Sequence, residues 1–315
     1  MGKIVKEVSQ YFSVDEKIIL SRLENHDKYY REVLIPKKSG GKREIHFPSV
    51  EIKAIQYFIL EKYLSDIEVS DCATAYKKNT SILDNVSIHL GNKHFLKIDL
   101  KDFFDSLNYE TAKKILTKFF ENDLNEDDVE EILQFTTYKN RFIQGAVTSP
   151  AISNILFKEI DDAIVLAVSD LSNVRYSRYS DDIIISSLDL IPDKVLETIS
   201  DILKNYGFRI NPKKTYFTSN PNIVKITGLN IVGYDKVKVG TKYKKEIKNM
   251  IYHKLKYGEE SKDSCEKIIG KLMFLKYVEP DYYNFLNIKY MKNKVLLIDV
   301  LKNLNKEEIK KETYN

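Results

Sequence analysis

The spacing of hydrophobic positions divides much of the chain into helical and strand-forming stretches. A helix is predicted over about residues 50 to 64, where apolar side chains recur every three or four positions, and the C-terminal third carries two more stripes of this kind. Near the N-terminus the same spacing predicts a short amphipathic helix with Ser13 as its N-cap and Glu16 three residues on. The apolar positions of these helices are Val14, Ile18, Ile19 and Leu23; Ile52, Ile55, Phe58, Ile59 and Tyr63; Ile247, Met250, Ile251 and Leu255; and Ile268, Ile269, Leu272 and Leu275.

A β-hairpin is predicted over residues 31–48. An apolar run is followed there by a basic turn built on Gly40 and Gly41, and then by an alternating run that is closed by Pro48. The tip of this hairpin would carry four basic side chains, those of Lys37, Lys38, Lys42 and Arg43. A helix over Thr111–Phe120 is predicted further along the chain.

Three aspartates stand at the ends of apolar strands. Asp99 ends a short strand predicted over residues 95–100, and Asp181 and Asp182 occupy the turn of a hairpin predicted over residues 174–186. Burying such carboxylates without a counter-charge costs several kcal/mol each. Carboxylates on adjacent strand ends suit two Mg²⁺ ions about 3.5–4 Å apart, which activate an attacking 3′-hydroxyl and stabilise a pyrophosphate leaving group. In the alternative interpretation each Asp is only a turn or cap residue.

Charge is distributed unevenly along the chain. Fifty Lys and Arg residues against 46 Asp and Glu leave a net charge of only +4 over 315 residues, which by itself does not establish a nucleic-acid partner. Residues 203–256, however, hold thirteen Lys or Arg against two acids, and this segment predicts a phosphate-binding surface. Residues 121–131 hold seven acids and no base, which predicts a solvated helix start that repels phosphate.

Composition argues against several classes of protein. Cys72 and Cys265 are far apart, and the five histidines form no pair with metal-ligand spacing, so neither a disulfide scaffold nor a structural zinc site is expected. The longest uncharged apolar stretch, residues 163–168, is much shorter than the roughly 20 residues that a membrane span needs. The N-terminus lacks the apolar run of a signal peptide. We therefore expect a cytoplasmic protein without a membrane partner.

Six motifs occur in the order in which they occur in reverse transcriptases, and the sequence resembles that family, specifically its retron type. The match runs from about Arg31 to Leu229, roughly two-thirds of the chain. In chain order the motifs are IPKKSGGKREIHFP (35–48), which resembles the fingers motif; IDLKDFFDSL (98–107) and QGAVTSPAISN (144–154), which match the first two palm motifs; YSDD (179–182), the Y-x-D-D box; GFRINPKKT (207–215), similar to the next palm motif; and ITGL (226–229), where the primer grip is expected.

The resemblance assigns the catalytic centre to the three aspartates. Asp99, Asp181 and Asp182 would be catalytic residues and would hold two Mg²⁺ ions, for which Mn²⁺ would substitute. The backbone carbonyl of Leu100 would be a further ligand. Tyr179 would pack beneath the primer terminus.

The resemblance also implies a site for the incoming dNTP. Phe104 would lie under its sugar as a steric gate against the 2′-hydroxyl of rNTPs, and the adjacent Phe103 would be a core residue. At position 145, the lack of a Cβ would let the backbone approach the nascent base pair. The implied nucleotide-binding residues are Lys42 and Arg43 on the triphosphate, Phe104, Gln144 and Gly145, and Lys213 or Lys214 as proton donor to pyrophosphate. For the lysines, solvated surface is the alternative.

Two short elements resemble retron enzymes in particular. Asn85-Val86-x-x-His89 corresponds to their Asn-Ala-x-x-His element, and Ile226-Thr227-Gly228 to their Val-Thr-Gly triplet; Val86 and Ile226 are departures from that pattern. We expect both elements to help select the RNA, and Lys244 and Lys245 to bind its phosphates. The alternative is structural, with His89 packing before a turn and Thr227-Gly228 only shaping the primer grip.

The resemblance implies an α+β chain with the right-hand polymerase fold. Fingers are expected at 1–95, a palm with an antiparallel sheet at 96–232, including a fingers segment around 120–150, and a short helical basic thumb at 233–315. The implied enzyme copies a cognate structured noncoding RNA into single-stranded DNA from dNTPs. It starts from the 2′-hydroxyl of an internal guanosine, leaves a branched RNA–DNA product, and acts in anti-phage defence with a separate effector protein.

Two other functions remain open at this point. One is another small bacterial reverse transcriptase, of the diversity-generating or abortive-infection kind, which would copy a different RNA. The other is a polymerase-like RNA-binding module whose catalysis is dispensable. The presence of Asp99, Asp181 and Asp182 argues against the second, because a pure binding module has no use for an acidic cluster that repels phosphate.

Overall fold

The computed structural model describes residues 2–36, 40–219, 224–258 and 261–314, without the side chains of residue 43 and of residues 307–314. Lys37 and Lys38 of the predicted hairpin tip lie outside the described residues. The chain divides into two compact units, the first comprising Met1–Ser81 and His94–Phe217, the second Ile82–Lys93 and Thr218–Asn315. The fingers, palm and thumb boundaries expected from the resemblance remain a prediction.

Helices and short strands alternate along the chain. The α-helices are α1 (Lys3–Phe12), α2 (Glu16–Glu24), α3 (Val50–Ile59), α4 (Ile82–Ser87), α5 (Tyr109–Phe119), α6 (Glu126–Thr136), α7 (Ser149–Val168), α8 (Asp193–Asn205), α9 (Thr241–Tyr257), α10 (Cys265–Val278), α11 (Pro280–Lys289) and α12 (Leu297–Tyr314). The strands are β1 (Tyr30–Pro36), β2 (Lys42–Pro48), β3 (His94–Lys101), β4 (Arg175–Tyr179), β5 (Asp182–Ser187), β6 (Arg209–Ile210), β7 (Tyr216–Thr218), β8 (Lys225–Ile226), β9 (Leu229–Val232) and β10 (Lys236–Val239). Short 3₁₀ turns span His26–Tyr29 and Phe104–Ser106, and a π-helical turn at Leu60–Leu64 continues α3.

The predicted hairpins and helices are confirmed in their positions, but the predicted N-cap is wrong. Ser13 ends α1 in the left-handed region, with φ of 53°. Asp15 caps α2 instead, because its Oδ1 accepts a hydrogen bond from the backbone N–H of Lys17 at 2.8 Å. Asp and Ser are comparable N-caps. The chain uses the nearer one because the helix α1 extends to Phe12 and places Ser13 at its own end.

The central sheet of the first unit is built on two apolar strands, β3 and β5. Its strand order is β4-β5-β3-β6, with β7 also paired to β3, and the pairs β4–β5, β5–β3 and β3–β6 are antiparallel. The side chains of Ile183, Ile184 and Ile185 are all at most 1% exposed. A continuous apolar run of this kind is typical of a strand that is covered on both faces.

Helix α7 forms much of the core beside this sheet. It begins at Ser149 with Pro150 in its first turn, where a missing N–H is harmless. Phe157 on α7 packs against Phe103 and Phe208, with ring centroids 5.4 and 4.6 Å away. Phe103 is 5% exposed, which confirms its prediction as a core residue.

The acidic run at 121–131 is a helix start, as predicted, but it is not solvated throughout. Asn125 and Asp128 form a capping box at the beginning of α6, and Asp128 is only 4% exposed. Asp128 also accepts a hydrogen bond from the backbone N–H of Lys3 at 2.7 Å, and Glu131 accepts two more from Gly2 and Val5. These carboxylates therefore bind the N–H groups at the beginning of α1, where the helix dipole favours negative charge.

The second unit combines a small sheet with helices. Strands β10, β9 and β8 pair antiparallel in that order, α4 packs on β9 and β10, and the helices α9 to α12 pack together. The predicted apolar stripes are confirmed, since Ile247 and Ile251 of α9 and Leu272 of α10 are fully buried. Among the helices that the described residues form, none has both the length and the apolar character needed to cross a membrane.

Candidate active site

Backbone pairing in the first unit brings the three predicted aspartates together. Asp99 near the end of β3 and Asp182 at the beginning of β5 are direct cross-strand partners. Asp181 occupies the turn before β5, and its carbonyl oxygen accepts a hydrogen bond from the backbone N–H of Leu100 at 2.9 Å. The carboxylates thus lie at one edge of the sheet because an apolar strand and an apolar hairpin pair in this register. The role of the Leu100 carbonyl as a ligand remains a prediction.

Cationic and amide groups hold two of these carboxylates. Asp99 is 5% exposed, and its Oδ2 lies 2.8 Å from the ammonium of Lys214. Its Oδ1 accepts a hydrogen bond from the side-chain amide of Asn211 at 2.9 Å. The ammonium of Lys97 lies 3.1 Å from Oδ2 of Asp182. Neither Lys97 nor Asn211 was predicted; the signal for Asn211 was available in the motif GFRINPKKT, where it precedes Lys214 by three residues.

The pKa of Asp181 is raised above its ordinary value. Burial is the main cause, and the neighbouring charges of Asp182 and Asp99 raise the pKa further, against the opposing charge of Lys214. The site therefore concentrates negative charge where water is scarce. A bound divalent cation would reverse this effect and favour the ionised carboxylates. All three side chains offer hard oxygen donors of the kind that Mg²⁺ and Mn²⁺ prefer. The chemistry of these donors fits a divalent cation, and the two-ion site itself remains a prediction.

Of the two lysines predicted as proton donors, the structure brings Lys214 to the site. Its pKa is raised, first by the hydrogen bond to Asp99 and then by the charges of the aspartates, so the ammonium form is favoured. Lys213 is exposed, and its backbone N–H donates to the side-chain oxygen of Asn211 at 3.2 Å. Asn211 thereby shapes the turn that aims Lys214 at Asp99.

The two aromatic residues predicted near the substrate, Phe104 and Tyr179, lie between Asp99 and Asp181 in sequence. Phe104 is half-buried in the 3₁₀ turn after β3 and packs edge-on against Phe103, with ring centroids 5.2 Å apart. Tyr179 ends β4 as the cross-strand partner of Asp182 and is also half-buried. Burial and the nearby Tyr76 raise the pKa of Tyr179. Each ring thus keeps an exposed part, which its predicted contact with nucleotide or primer requires.

The fingers hairpin β1–β2 touches the second palm motif at Gly145. Gly145 has a φ of +108°, and a Cβ built there would lie 2.5 Å from the carbonyl oxygen of His46 in β2. The absence of a side chain is therefore required by the approach of β2 itself, a reason that the sequence did not show. Gln144 beside it is half-buried, Lys42 at the beginning of β2 is exposed, and the side chain of Arg43 lies outside the described atoms.

The same hairpin carries two carboxylates that were not predicted. One ligand atom each of Glu32, Glu44 and His46 lies within 4.8 Å of the others, and both glutamates are exposed. Glu44 and His46 pair directly, with Oε1 and Nε2 2.9 Å apart. Within the described residues this is a second acidic group, on β1 and β2 rather than on the strands that carry the aspartates.

The two retron-like elements meet in the second unit. Thr227 and Gly228 form the turn between β8 and β9, both with positive φ as two-residue hairpins require, and the Thr227 hydroxyl donates to the carbonyl of Ile82 at the beginning of α4. Asn85 of α4 and His89 just beyond it are both 0% exposed. The side chain of Ile226 is 1% exposed. Burial of these side chains favours the structural alternative for them, whereas Gly228 is exposed.

The lysines predicted to bind RNA phosphates differ from each other. Lys244 of α9 is half-buried; its ammonium lies 2.6 Å from Glu279 and 4.3 Å from the ring centre of Tyr282. Lys245 is exposed. Lys244 therefore ties α9 to the beginning of α11, and Lys245 is the one of the two that is open to solvent.

Comparison with known proteins matches this chain to one family. Residues 35–231 match the model of the reverse transcriptase (RNA-dependent DNA polymerase) family. The chain is 32% identical over 277 residues to the retron Ec86 reverse transcriptase of Escherichia coli, covering 85% of this chain and 84% of that protein. It is 31% identical over 288 residues to the retron Ec83 reverse transcriptase of the same species, covering 87% and 89%.

More distant comparisons include the retron Mx162 reverse transcriptase of Myxococcus xanthus, 26% identical over 80% of this chain and 58% of that protein. A solved structure of apo telomerase from Candida tropicalis, truncated from its C-terminal domain, aligns with 70% of this chain and 59% of its own at 17% identity and a TM-score of 0.47.

The family match covers β2 with the end of β1, the sheet with its three aspartates and the turn at Thr227-Gly228. It confirms the predicted right-hand polymerase fold, with helices around an antiparallel sheet, and the predicted activity of an RNA-directed DNA polymerase. With relatives at about 30% identity over most of both chains, the protein belongs to the retron-type reverse transcriptases.

Proposed function

We propose that this reverse transcriptase extends DNA with two Mg²⁺ ions held by Asp99, Asp181 and Asp182. The observation that supports this proposal is the register of β3 against β5, which sets Asp99 opposite Asp182 with Asp181 beside them. Reverse transcriptases generally use divalent metals, and Mn²⁺ would replace Mg²⁺ on the same oxygen donors. When bound, the ions supply positive charge to the attacking and leaving oxygens.

The remaining steps are assigned to side chains around the carboxylates. Lys214, kept protonated by Asp99, would donate a proton to the departing pyrophosphate. Asn211 would hold the other oxygen of Asp99 and so fix the direction of that carboxylate. Lys42 and Arg43 of β2 would bind the triphosphate by charge-assisted hydrogen bonds, with Gln144 and Gly145 next to the nascent base pair.

The template and product are proposed from the relatives. Several of them are named retron reverse transcriptases. By this resemblance the chain would copy a cognate structured noncoding RNA from the 2′-hydroxyl of an internal guanosine and leave a branched RNA–DNA molecule. The same resemblance supports a role in anti-phage defence with a separate effector protein.

Choice of the RNA is proposed to involve the second unit. In the second unit, Gly228 and Lys245 of the predicted RNA-binding set are exposed, and Thr227 beside Gly228 is half-buried. Asn85 and His89 would act indirectly, by holding the segment after α4 in place. The basic charge of residues 203–256 would add affinity through phosphates, which carries no sequence information.

Recovery of the bound nucleic acid tests this function. The chain would be expressed with its native flanking DNA, purified, and the nucleic acid that copurifies would be sequenced with and without debranching enzyme. We expect an RNA–DNA molecule that debranching separates, and only RNA from the matched Asp181→Asn protein. Unbranched cDNA would contradict the retron product while leaving the polymerase activity in place. An unrelated RNA would point to the diversity-generating or abortive-infection alternative.

Discrimination against rNTPs is expected to depend on Phe104. Replacing Phe104 by Val removes the half-buried ring, and the space that opens would admit a 2′-hydroxyl, so rNTP incorporation should rise relative to dNTP incorporation. The ratio of kcat/KM for rNTP to that for dNTP measures the effect. Phe103→Leu, in the core beside it, serves as the control and should leave the ratio unchanged. An unchanged ratio in Phe104→Val would place the gate elsewhere.

A further inference from the structure

A fully buried ion pair lies directly before the turn at Ser180 and Asp181, called the catalytic turn below. Arg178 on β4 and Asp161 on α7 both have side chains that are 0% exposed. The guanidinium binds the carboxylate in a two-pronged arrangement, with Nη2 2.8 Å from Oδ2 and Nε 2.9 Å from Oδ1. This geometry gives both direction and strength to the contact.

The pair belongs to a buried network of hydrogen bonds. Oδ1 of Asp161 also accepts from the hydroxyl of Tyr176 at 2.6 Å. Nη1 of Arg178 donates to the side-chain oxygen of Asn154 at 3.2 Å, and the guanidinium lies 4.5 Å from the ring centre of Phe157. The network therefore joins the last residue of the second palm motif to the strand that leads into the Y-x-D-D box.

Stability alone does not explain this arrangement. The free energy needed to remove two charges from water offsets much of the attraction between them. Well-packed apolar residues of similar volume are often at least as stabilising. What a satisfied buried network does provide is a single fixed geometry. The hydrogen bonds of Arg178 show which part of the molecule it fixes.

Arg178 is bound to the catalytic turn and to its surroundings. Nη1 also reaches the carbonyl oxygen of Ser180, 3.5 Å away. The backbone N–H of Arg178 donates to the carbonyl of Cys72 at 2.9 Å. The carbonyl of Arg178 accepts from the backbone N–H of Thr74, also at 2.9 Å. The hydroxyl of Tyr76 donates to the hydroxyl of Ser180 at 3.1 Å.

The turn itself needs such support. Ser180 has a φ of 60°, in the left-handed region that a residue with a side chain adopts at a cost. Asp181 follows directly, beside the carboxylates of Asp99 and Asp182, which are cross-strand partners. Left-handed backbone and like charges both favour opening of this turn, and the network opposes them from the buried side.

We propose that Arg178, with Asp161 and Asn154, is a positioning residue that holds the Ser180–Asp181 turn so that Asp181 and Asp182 stay beside Asp99. This inference rests on the role proposed above for the aspartates as metal ligands. Arg178 does not touch substrate in this arrangement; it acts through the backbone of the turn. Its loss should therefore alter metal binding and kcat more than the KM for dNTP.

The test replaces the network by apolar residues of similar size. The variant Tyr176→Phe, Asp161→Leu and Arg178→Met removes both buried charges and the tyrosine hydroxyl together. Asn154 loses the hydrogen bond from Arg178 and keeps the one that its amide donates to the carbonyl of Ala75. We expect kcat for primer extension to fall about tenfold to a hundredfold, the scale of a displacement of about 1 Å at a catalytic group. The Mg²⁺ concentration for half-maximal extension should rise, and Mn²⁺ binding measured by electron paramagnetic resonance without substrate should weaken.

Two control variants separate positioning from simple loss of stability. Ile164→Ala creates a cavity at a fully buried position of α7 and should lower the Tm without changing the Mg²⁺ requirement. Arg178→Lys keeps the positive charge beside Asp161 but loses the fork that reaches Asn154 and Ser180. It should shift the Mg²⁺ requirement in the same direction as the apolar variant.

The outcomes distinguish the inference from the proposed function. If Asp181→Asn is inactive and the apolar variant keeps wild-type kcat and Mn²⁺ affinity, the positioning inference is overturned. The proposed role of the aspartates then stands. A loss in the apolar variant that matches Ile164→Ala at equal Tm, with an unchanged Mg²⁺ requirement, would also overturn it. Full synthesis by Asp181→Asn would overturn the role of the aspartates, and the positioning inference with it.

Discussion

Replacing Asp181 or Asp99 by Asn is expected to abolish primer extension. Each substitution removes one carboxylate from a site in which Asp99 and Asp182 face each other across β3 and β5. The metal ions that these groups are proposed to hold would supply positive charge where negative charge develops in the reaction. The loss should be at least the roughly 10²–10³-fold that follows removal of one preorganised transition-state donor. Extension of a primed RNA template with dNTPs and Mg²⁺ measures it.

The control for this prediction is Asp105→Asn in the same motif. Asp105 is exposed and follows the strand by a few residues, so its charge should not matter for the reaction. RNA binding by Asp181→Asn and Asp99→Asn should stay near wild type, because the substitution removes negative charge from a nucleic-acid site. Near wild-type synthesis by either variant would contradict the two-metal proposal.

Metal-free stability gives a second measurement on the same variant. Burial and the neighbouring carboxylates raise the pKa of Asp181 in the folded chain. A raised pKa contributes stability that is present below the unfolded pKa and is lost as the pH rises through the folded pKa. Asp181→Asn does not ionise, so at about pH 7 it should be at least as stable as wild type, with a smaller difference near the unfolded Asp pKa of about 3.9. Thermal unfolding at both pH values checks the sign.

The aspartate site could be predicted from the sequence because its signals are local. Apolar runs that end in Asp99 or enclose Asp181 and Asp182 indicate strands with carboxylates at their ends. Antiparallel pairing of neighbouring strands then places those ends together. The resemblance supplied the order of the motifs, and the structure added the register that sets Asp99 opposite Asp182.

Partners that are distant in sequence could not be predicted in this way. Lys3 and Asp128, which bind each other at the beginning of α1, are 125 positions apart, and nothing in the acidic run indicated that a helix end lies on it. Lys244 was predicted from local charge alone, whereas the structure pairs it with Glu279 on another helix. Charge runs identify a basic segment, but they do not show which of its members tertiary packing has already used.

The network at Arg178 shows the same limit at a buried site. The run VRYSRY at 174–179 predicts a strand, and nothing in the run indicates that Arg178, of its two arginines, is the buried one. Charged side chains are almost never fully buried unless paired, and the partner, Asp161, lies on α7. Only the packing of α7 against β4 brings Asp161 to Arg178, and the sequence does not show that packing.

Replacing Gly145 by Ala is expected to be the other severe substitution. A residue with a side chain at φ of +108° is strained, which costs about 1–3 kcal/mol. In addition, the new Cβ would lie 2.5 Å from the carbonyl oxygen of His46, a backbone atom that can move only with β2. The hairpin that carries Lys42 would therefore separate from the second palm motif. Because this hairpin is proposed to bind the triphosphate, the KM for dNTP should rise.

Gly207→Ala provides a matched control for the strain at Gly145. Gly207 also has a positive φ, +85°, but no atom lies within 4 Å of a Cβ built there. Both variants should lose stability through backbone strain, as measured by thermal unfolding. Only Gly145→Ala should also lose catalytic efficiency, by about a hundredfold if the hairpin moves by about 1 Å. Equal effects on kcat/KM in the two variants would contradict this prediction. Backbone strain, which both variants share, would then explain the loss, and the contact between β2 and the second palm motif would not be needed for nucleotide binding.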